Sequence, residues 1–208
     1  MIEHLKVSGY KSLADADLRG LGRIAVFFGP NAAGKSNLLD AVDLLSYTAR
    51  EDTLLSAFQK HRGNRLQRPL PVRWFFFGAH PEEESDRTIS FSVDLDLHPP
   101  IKDAINRELK ERERQAKLQR TYTRVSRTKL RYELTISYSP TSRSLEVTHE
   151  ALTPLTESGE VKQSEVPFIK HEGNYLSVKL ERQSHPRTFP LPRQRTLLSE
   201  INDVVNHP

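Results

Sequence analysis

The chain has 208 residues and not one cysteine. That absence rules out a disulfide framework, a cysteine-based zinc site and a thiol nucleophile, and it suits a reducing, cytoplasmic setting. Apolar runs are short as well. None exceeds about six residues, where a membrane-spanning helix needs about twenty and a signal-peptide core roughly seven or more. Eight histidines are scattered along the chain. None stands at HxH or HExxH spacing, so no histidine-built metal site is expected. A one-sided charge is also missing, since 31 Lys and Arg oppose 27 Asp and Glu for a net +4.

What is present suffices for a folded domain. Leu, Ile, Val and Phe make up about a quarter of the chain, above the level at which disorder is the default. The length allows one large domain or two small ones, with a sizeable core. The charge is unevenly spread. Residues 102–131 hold eleven Lys and Arg against four acids, a local +7, which leaves the remaining chain at −3.

Periodicity gives a coarse map. Residues 2–10 read as a strand, and Ile24–Phe28 (IAVFF) is a continuous apolar run suited to a strand buried on both faces. From Lys35 onward, Leu38, Leu39, Val42, Leu45 and Ala49 recur at helical spacing. Residues 50–70 read as helix and loop, and 72–77 as a strand. Ile89–Leu97 and Leu130–Tyr138 alternate strictly, which predicts half-buried strands, with 145–150 returning as a hairpin partner. Pro99 and Pro100 precede a long charged helix, 175–180 is a further strand, and Thr196–Val205 a final helix.

Between the apolar run and the first helix stands Gly29-Pro30-Asn31-Ala32-Ala33-Gly34-Lys35-Ser36, a match to GxxxxGK[ST], the Walker A pattern. Each residue type has a task. Gly29 and Gly34 permit conformations and close approach that a Cβ blocks. The N–H groups of residues 31–36 can then converge on phosphate oxygens at the positive end of the helix. Lys35 brings an ammonium to the β- and γ-phosphates and Ser36 a hydroxyl to Mg²⁺, while Asn37 can reach the α-phosphate. The expected ligands are ATP and Mg²⁺. A strand before and a helix after is the context the motif needs, so a chance match in a loop is the weaker reading.

Two stretches, MIEHLKVSGYKSLADADL and IAVFFGPNAAGKSNLLDAVDLL, together resemble the opening of the SMC/RecF/OLD branch of ABC-type ATPases. Those proteins begin with a strand, an aromatic–basic–Ser step and a second strand, followed by GPNGxGKS and a helix reading N-[LI]-L-[DE]-A. Tyr10-Lys11-Ser12 matches the step, and the resemblance implies that Lys11 and Ser12 approach the nucleotide. Ala33 stands where the family often has glycine. The likeness is strong over residues 1–48 and looser over 70–208. It implies an α/β fold, the N-terminal lobe of an ABC-type P-loop NTPase head. Residues 1–208 would form one lobe: a nucleotide-binding core at 1–50, a mixed or antiparallel β layer, and an inserted basic helix and linker at 101–131. Such a lobe would serve DNA repair, recombination or anti-phage defence, with a C-terminal lobe or a second head as partner.

A head of this type also needs an apolar strand ending in Asp-Glu, which holds Mg²⁺ and polarises water, and an LSGGQ-like signature. Neither is in the sequence: Phe91–Asp96 alternates, Asn202-Asp203 falls in a helix, and Leu198-Ser199-Glu200 lacks the glycines. No catalytic residue is therefore assigned. Hydrolysis by this chain alone is expected to be poor or absent. The alternative is a non-catalytic, split or degenerate lobe that docks on a partner ATPase. A small kinase or GTPase fits less well, because no second Mg²⁺ motif and no NKxD base reader is present. Gln194, before the last helix, is a candidate for the family's glutamine-loop residue.

Two further clusters have bland readings. Asp94-Leu95-Asp96 puts both acids on the polar side of an alternating strand, a solvated face rather than a metal pair. In 101–120, Asp103–Arg107, Glu108–Arg112 and Glu113–Lys117 set acid before base at i,i+4, worth roughly a few tenths of a kcal/mol each in an exposed helix. Beyond those acids, Arg120, Arg124, Arg127, Lys129 and Arg131 continue the positive run. They are candidate contacts to a nucleic-acid backbone, which salt would weaken steeply.

Overall fold

Alternation of apolar and polar residues builds most of this chain into one antiparallel sheet. The computed structural model describes residues 1–63, 71–80, 82, 84–115, 125–162, 165–179, 185–190 and 193–199. In chain order the elements are β1 (Ile2–Tyr10), β2 (Leu13–Arg19), α1 (Lys35–Thr48), α2 (Leu54–Gly63) and a 3₁₀ turn (Val72–Phe75). Then come β3 (Arg87–Asp96), α3 (Pro99–Gln115), β4 (Lys129–Ser139), β5 (Ser144–Pro154), β6 (Ile169–Glu172), β7 (Tyr175–Val178) and β8 (Arg187–Pro190). The strand order is β2-β1-β3-β4-β5-β6-β7-β8, with every neighbouring pair antiparallel. The α/β class, the antiparallel layer and the inserted charged helix are as the sequence implies. No described helix is long and apolar enough to cross a membrane.

Period-two spacing sends Leu5, Val7, Ile89, Phe91, Val93, Tyr132, Leu134 and Ile136 to one face of the sheet. There they pack with Leu38, Ala41 and Leu44 of α1 and Leu54 and Phe58 of α2. Full burial of such a side chain is worth about 1.5–3 kcal/mol, so this layer holds α1, and the loop at its start, against the sheet. Near the end of β1, Gly9 adopts φ +76°, and a Cβ there would lie 2.1 Å from the Thr88 carbonyl oxygen. Only glycine lets β1 and β3 approach so closely.

Two irregularities decide where polar groups go. The β4–β5 register shifts between Thr135 and Ile136, so that Thr135 pairs with His149 and Ile136 with Val147. The extra residue reverses the alternation of β5 and sets Glu150 beside Leu134, on the buried side. At the other end of the sheet, residues 75–77 flank the end of β1: Lys11 N–H donates to the Phe75 carbonyl at 2.9 Å, and Phe77 N–H to Gly9 at 2.8 Å.

Two expectations change, two short strands are added, and one expected helix is described only in part. Residues 24–28 form no strand; Ile24, Val26 and Phe28 are 86%, 79% and 92% exposed. Apolarity alone forms no strand, and among the described residues none lies alongside to take up their backbone groups. Residues 72–75 wind into a 3₁₀ turn, leaving Tyr10–Phe76 as a single isolated bridge. The short strands β6 and β8, the second within a proline-rich stretch, carry too little periodicity to be read from sequence. Of the final helix expected over 196–205, Thr196 is not helical, residues 197–199 are, and 200–205 lie outside the described residues.

Candidate functional site

The phosphate loop sits on the surface at the start of α1, and most of residues 29–36 are exposed. Gly34 is the N-cap with φ +85°. No side chain caps this helix end and no acid stands in its first turn. Leu38 N–H, bonded to the Gly34 carbonyl at 2.9 Å, is the first to find an α-helical partner. The N–H groups ahead of it, with the partial positive charge of the helix end, form an anion-receptive cradle. Gly29 (φ +152°), Ala32 (φ +65°) and Gly34 supply the turns of the loop, within which Ala33 N–H donates to the Pro30 carbonyl at 3.4 Å. Lys35 Nζ folds back to donate to the carbonyls of Gly29 at 2.9 Å and Pro30 at 2.6 Å. The donor set therefore suits a polyphosphate: backbone amides, one ammonium, and the Ser36 hydroxyl for a divalent ion.

Beside the loop lies the β1–β2 turn. Asn37 Nδ2 donates to Ser12 Oγ at 2.7 Å, so two residues assigned to the nucleotide on sequence grounds meet each other. Lys11, at φ +46°, turns inward and pairs with Asp40 of α1. Tyr10 Oη donates to the same carboxylate at 2.6 Å, and His61 Nε2 stands 3.0 Å from its other oxygen. Lys11 Nζ also lies 4.9 Å from the centroid of the Phe75 ring. Asp43 lies 3.1 Å from His61 Nδ1. Position i+3 on α1 separates Asn37 from Asp40, so one helix face clamps the turn at two points.

The decisive comparison concerns this region and most of the chain. Residues 24–198 match the family described as AAA domain, putative AbiEii toxin, Type IV TA system. The chain belongs to that family. It is thus a P-loop ATPase domain of the nucleotide-binding kind. Among curated proteins none matches the chain. One solved structure, from work on the structural biochemistry of ATP-driven dimerization and DNA-stimulated activation of SMC ATPases, aligns with 73% of this chain and 68% of its own. Its TM-score is 0.38 and its sequence identity 14%.

The other assigned residues of the AAA domain are dispersed. Arg120 and Arg124 lie outside the described residues. Arg127 is 3.9 Å from Glu165 and Lys129 3.4 Å from Glu3. Arg131 makes a bidentate pair with Asp94, at 2.6 and 2.8 Å. Asp94 also faces His4, whose other ring nitrogen is 2.7 Å from Asp17. Burial works to raise the Asp94 carboxyl, but the Arg131 hydrogen bonds and charge, with His4, outweigh it and hold it below the usual range. The solvated-face reading of Asp94 is thereby corrected: its carboxylate is buried and paired. Among the described residues no group of three or more acids or histidines is placed to hold a metal ion. Gln194 is exposed, and its backbone carbonyl accepts from Leu54 N–H at 2.9 Å, the first amide of α2.

Two groupings escaped the sequence reading. Tyr10, Asp40 and His61 are too far apart in the chain for spacing to join them; the one signal was Asp40, an acid on the inward-leaning side of α1. Glu150, fully buried, accepts from Tyr132 Oη at 2.8 Å and from Leu197 N–H at 2.9 Å. Burial raises its carboxyl above the ordinary range. Thr196 Oγ1 donates to the Thr48 carbonyl at 2.7 Å, so segment 193–199 is fastened to both β5 and the end of α1.

Proposed function

We propose that the chain is the ATP-binding lobe of an SMC/RecF/OLD-like ATPase, serving DNA repair, recombination or anti-phage defence, and that it needs a second lobe for hydrolysis. The observation that carries this is the placement of the phosphate loop. It follows an apolar segment whose outward residues, Ile24, Val26 and Phe28, have no apolar cover. Half-buried Phe27 and exposed Ala25 line an open groove of about 340 Å³ with Leu5, Leu38 and Val42. A segment held to the core by Phe27 and otherwise bare fits an apolar strand brought by the lobe that also supplies the acidic Mg²⁺ ligand. Lys35 and the loop amides would hold the phosphates, and Ser36 the Mg²⁺ ion. The assignment to DNA metabolism or defence rests on the resemblance of residues 1–48.

Calorimetric titration of MgATP into the chain and into Lys35→Ala tests the reading. Binding by the native chain, at least tenfold weaker in the variant, with negligible turnover in either, is expected. Turnover by the native chain that Lys35→Ala removes would sink the requirement for a second lobe. No affinity at millimolar ATP would favour the other reading, a split lobe that only docks on a partner ATPase. The same bare residues support that reading.

A further inference from the structure

The sequence VRWFFF turns Phe75 and Phe76 into the core and leaves Trp74 and Phe77 outward, 44% and 41% exposed. Trp74 is the one tryptophan of the chain. Its position is held on both sides: Trp74 N–H donates to the Pro71 carbonyl at 3.1 Å, and Phe76 N–H to the Arg73 carbonyl at 3.1 Å. Next to it, the Phe75 carbonyl accepts from Lys11 N–H at 2.9 Å. Lys11 is followed by Ser12, which is bonded to Asn37, and Asn37 adjoins Ser36 of the phosphate loop. A continuous line of bonded neighbours therefore joins the loop to the backbone that carries Trp74. Peptide and ladder spacings keep the Cα atoms of Ser12 and Trp74 within about 13 Å, a span a nucleoside covers.

The direction is set by the phosphates. The amides of residues 31–36 and Lys35 collect the β- and γ-phosphates, so the α-phosphate lies at Asn37, and ribose and base leave on that side. That side is the β1–β2 turn. Lys11 is withdrawn into Asp40, and Tyr10 and Phe75 are buried. Of the aromatic groups on this stretch, the outward one nearest the turn is Trp74. A rigid, exposed aromatic surface stacks on any base and needs no hydrogen-bond pattern from it.

We infer that Trp74 is the stacking platform for the base of the bound nucleotide. This rests on the nucleotide reading proposed above. A single tryptophan makes the test clean. Titrating native chain with MgATP shifts and quenches the indole emission, while tripolyphosphate, which has no base, binds without doing so. By calorimetry, Trp74→Ala weakens MgATP about tenfold and leaves tripolyphosphate unchanged, and Trp74→Phe retains most of the ATP affinity. Equal ATP affinity in the native chain and Trp74→Ala overturns the inference. So does an equal loss for ATP and tripolyphosphate, which would report damage to the loop. If Trp74→Ala does not fold, the native emission decides: no response to saturating ATP refutes the platform. Binding of neither ligand to the native chain removes the nucleotide reading itself, and a platform with it.

Discussion

Replacing Asp40 with asparagine tests whether charge fastens the β1–β2 turn to the helix that begins at the phosphate loop. The carboxylate accepts from Tyr10 Oη at 2.6 Å and from Lys11, and stands 3.0 Å from His61 Nε2. Its side chain is 13% exposed, that of Lys11 12%, and that of His61 is fully buried. Water has little access to replace the lost charge. Removing one member of a buried pair costs about 3–5 kcal/mol, and the remaining exposure places Asp40→Asn near the lower end, about 3 kcal/mol. Lys11→Met leaves Asp40 with Tyr10 and His61, so its cost is smaller, and the double variant should show a coupling of about 1–2 kcal/mol. Urea unfolding of the four proteins, followed by circular dichroism at fixed salt, measures all of this. A cost under about 1 kcal/mol for Asp40→Asn, or additivity within about 0.5 kcal/mol, would refute the clamp.

Three other perturbations follow from the same geometry. Gly9→Ala combines a positive φ with a Cβ 2.1 Å from the Thr88 carbonyl oxygen; a loss of about 3 kcal/mol or more is expected, and a loss under about 1 kcal/mol in urea would contradict it. Glu150 has its carboxyl raised by burial, so its favourable share of stability is complete below the unfolded value and is lost as pH rises through the folded one. The melting temperature of Glu150→Gln minus that of the native chain should therefore grow as pH rises above the ordinary carboxyl range; a flat or falling difference would overturn this. Arg131→Met strands the buried Asp94 and should cost about 2–3 kcal/mol, against under about 0.5 kcal/mol for the loose Arg127–Glu165 contact in Arg127→Met; equal urea midpoints for the two variants would show the Asp94 pair to be inert.

The sequence was most legible where a rule acts locally. Glycines, Lys35 and Ser36 at fixed spacing marked the phosphate loop, because its chemistry lies within eight consecutive residues. Period-two alternation marked β3 and β4 almost to their ends, because each strand has one wet face. Contacts that cross the chain left no such trace. The Asp94–Arg131 pair depends on β3–β4 register, and Asp94 read as solvated because its partner is 37 residues away. Glu150 is buried by a one-residue bulge at Thr135–Ile136, and alternation alone would have placed it outside. Lys11 read as a nucleotide contact by resemblance; the structure shows it bonded to Asp40, a connection that spacing cannot reveal.

Residues 24–28 separate what a sequence demands from what one chain supplies. Covering Ile24, Val26 and Phe28 would release about 1.5–3 kcal/mol each. Fixing the five backbones as a strand costs about 1–2 kcal/mol per residue. The two terms are of equal size, so apolar cover alone does not make this segment a strand. Backbone partners must come as well, each hydrogen bond adding about 0.5–1.5 kcal/mol. Whatever brings both would order the segment that leads directly into Gly29, and through it the loop that is to grip the phosphates. A strand-supplying partner should therefore raise ATP affinity, not only bury surface. The same linkage requires ATP to tighten the partner by an equal factor. A partner that binds equally well with and without saturating ATP would break that connection.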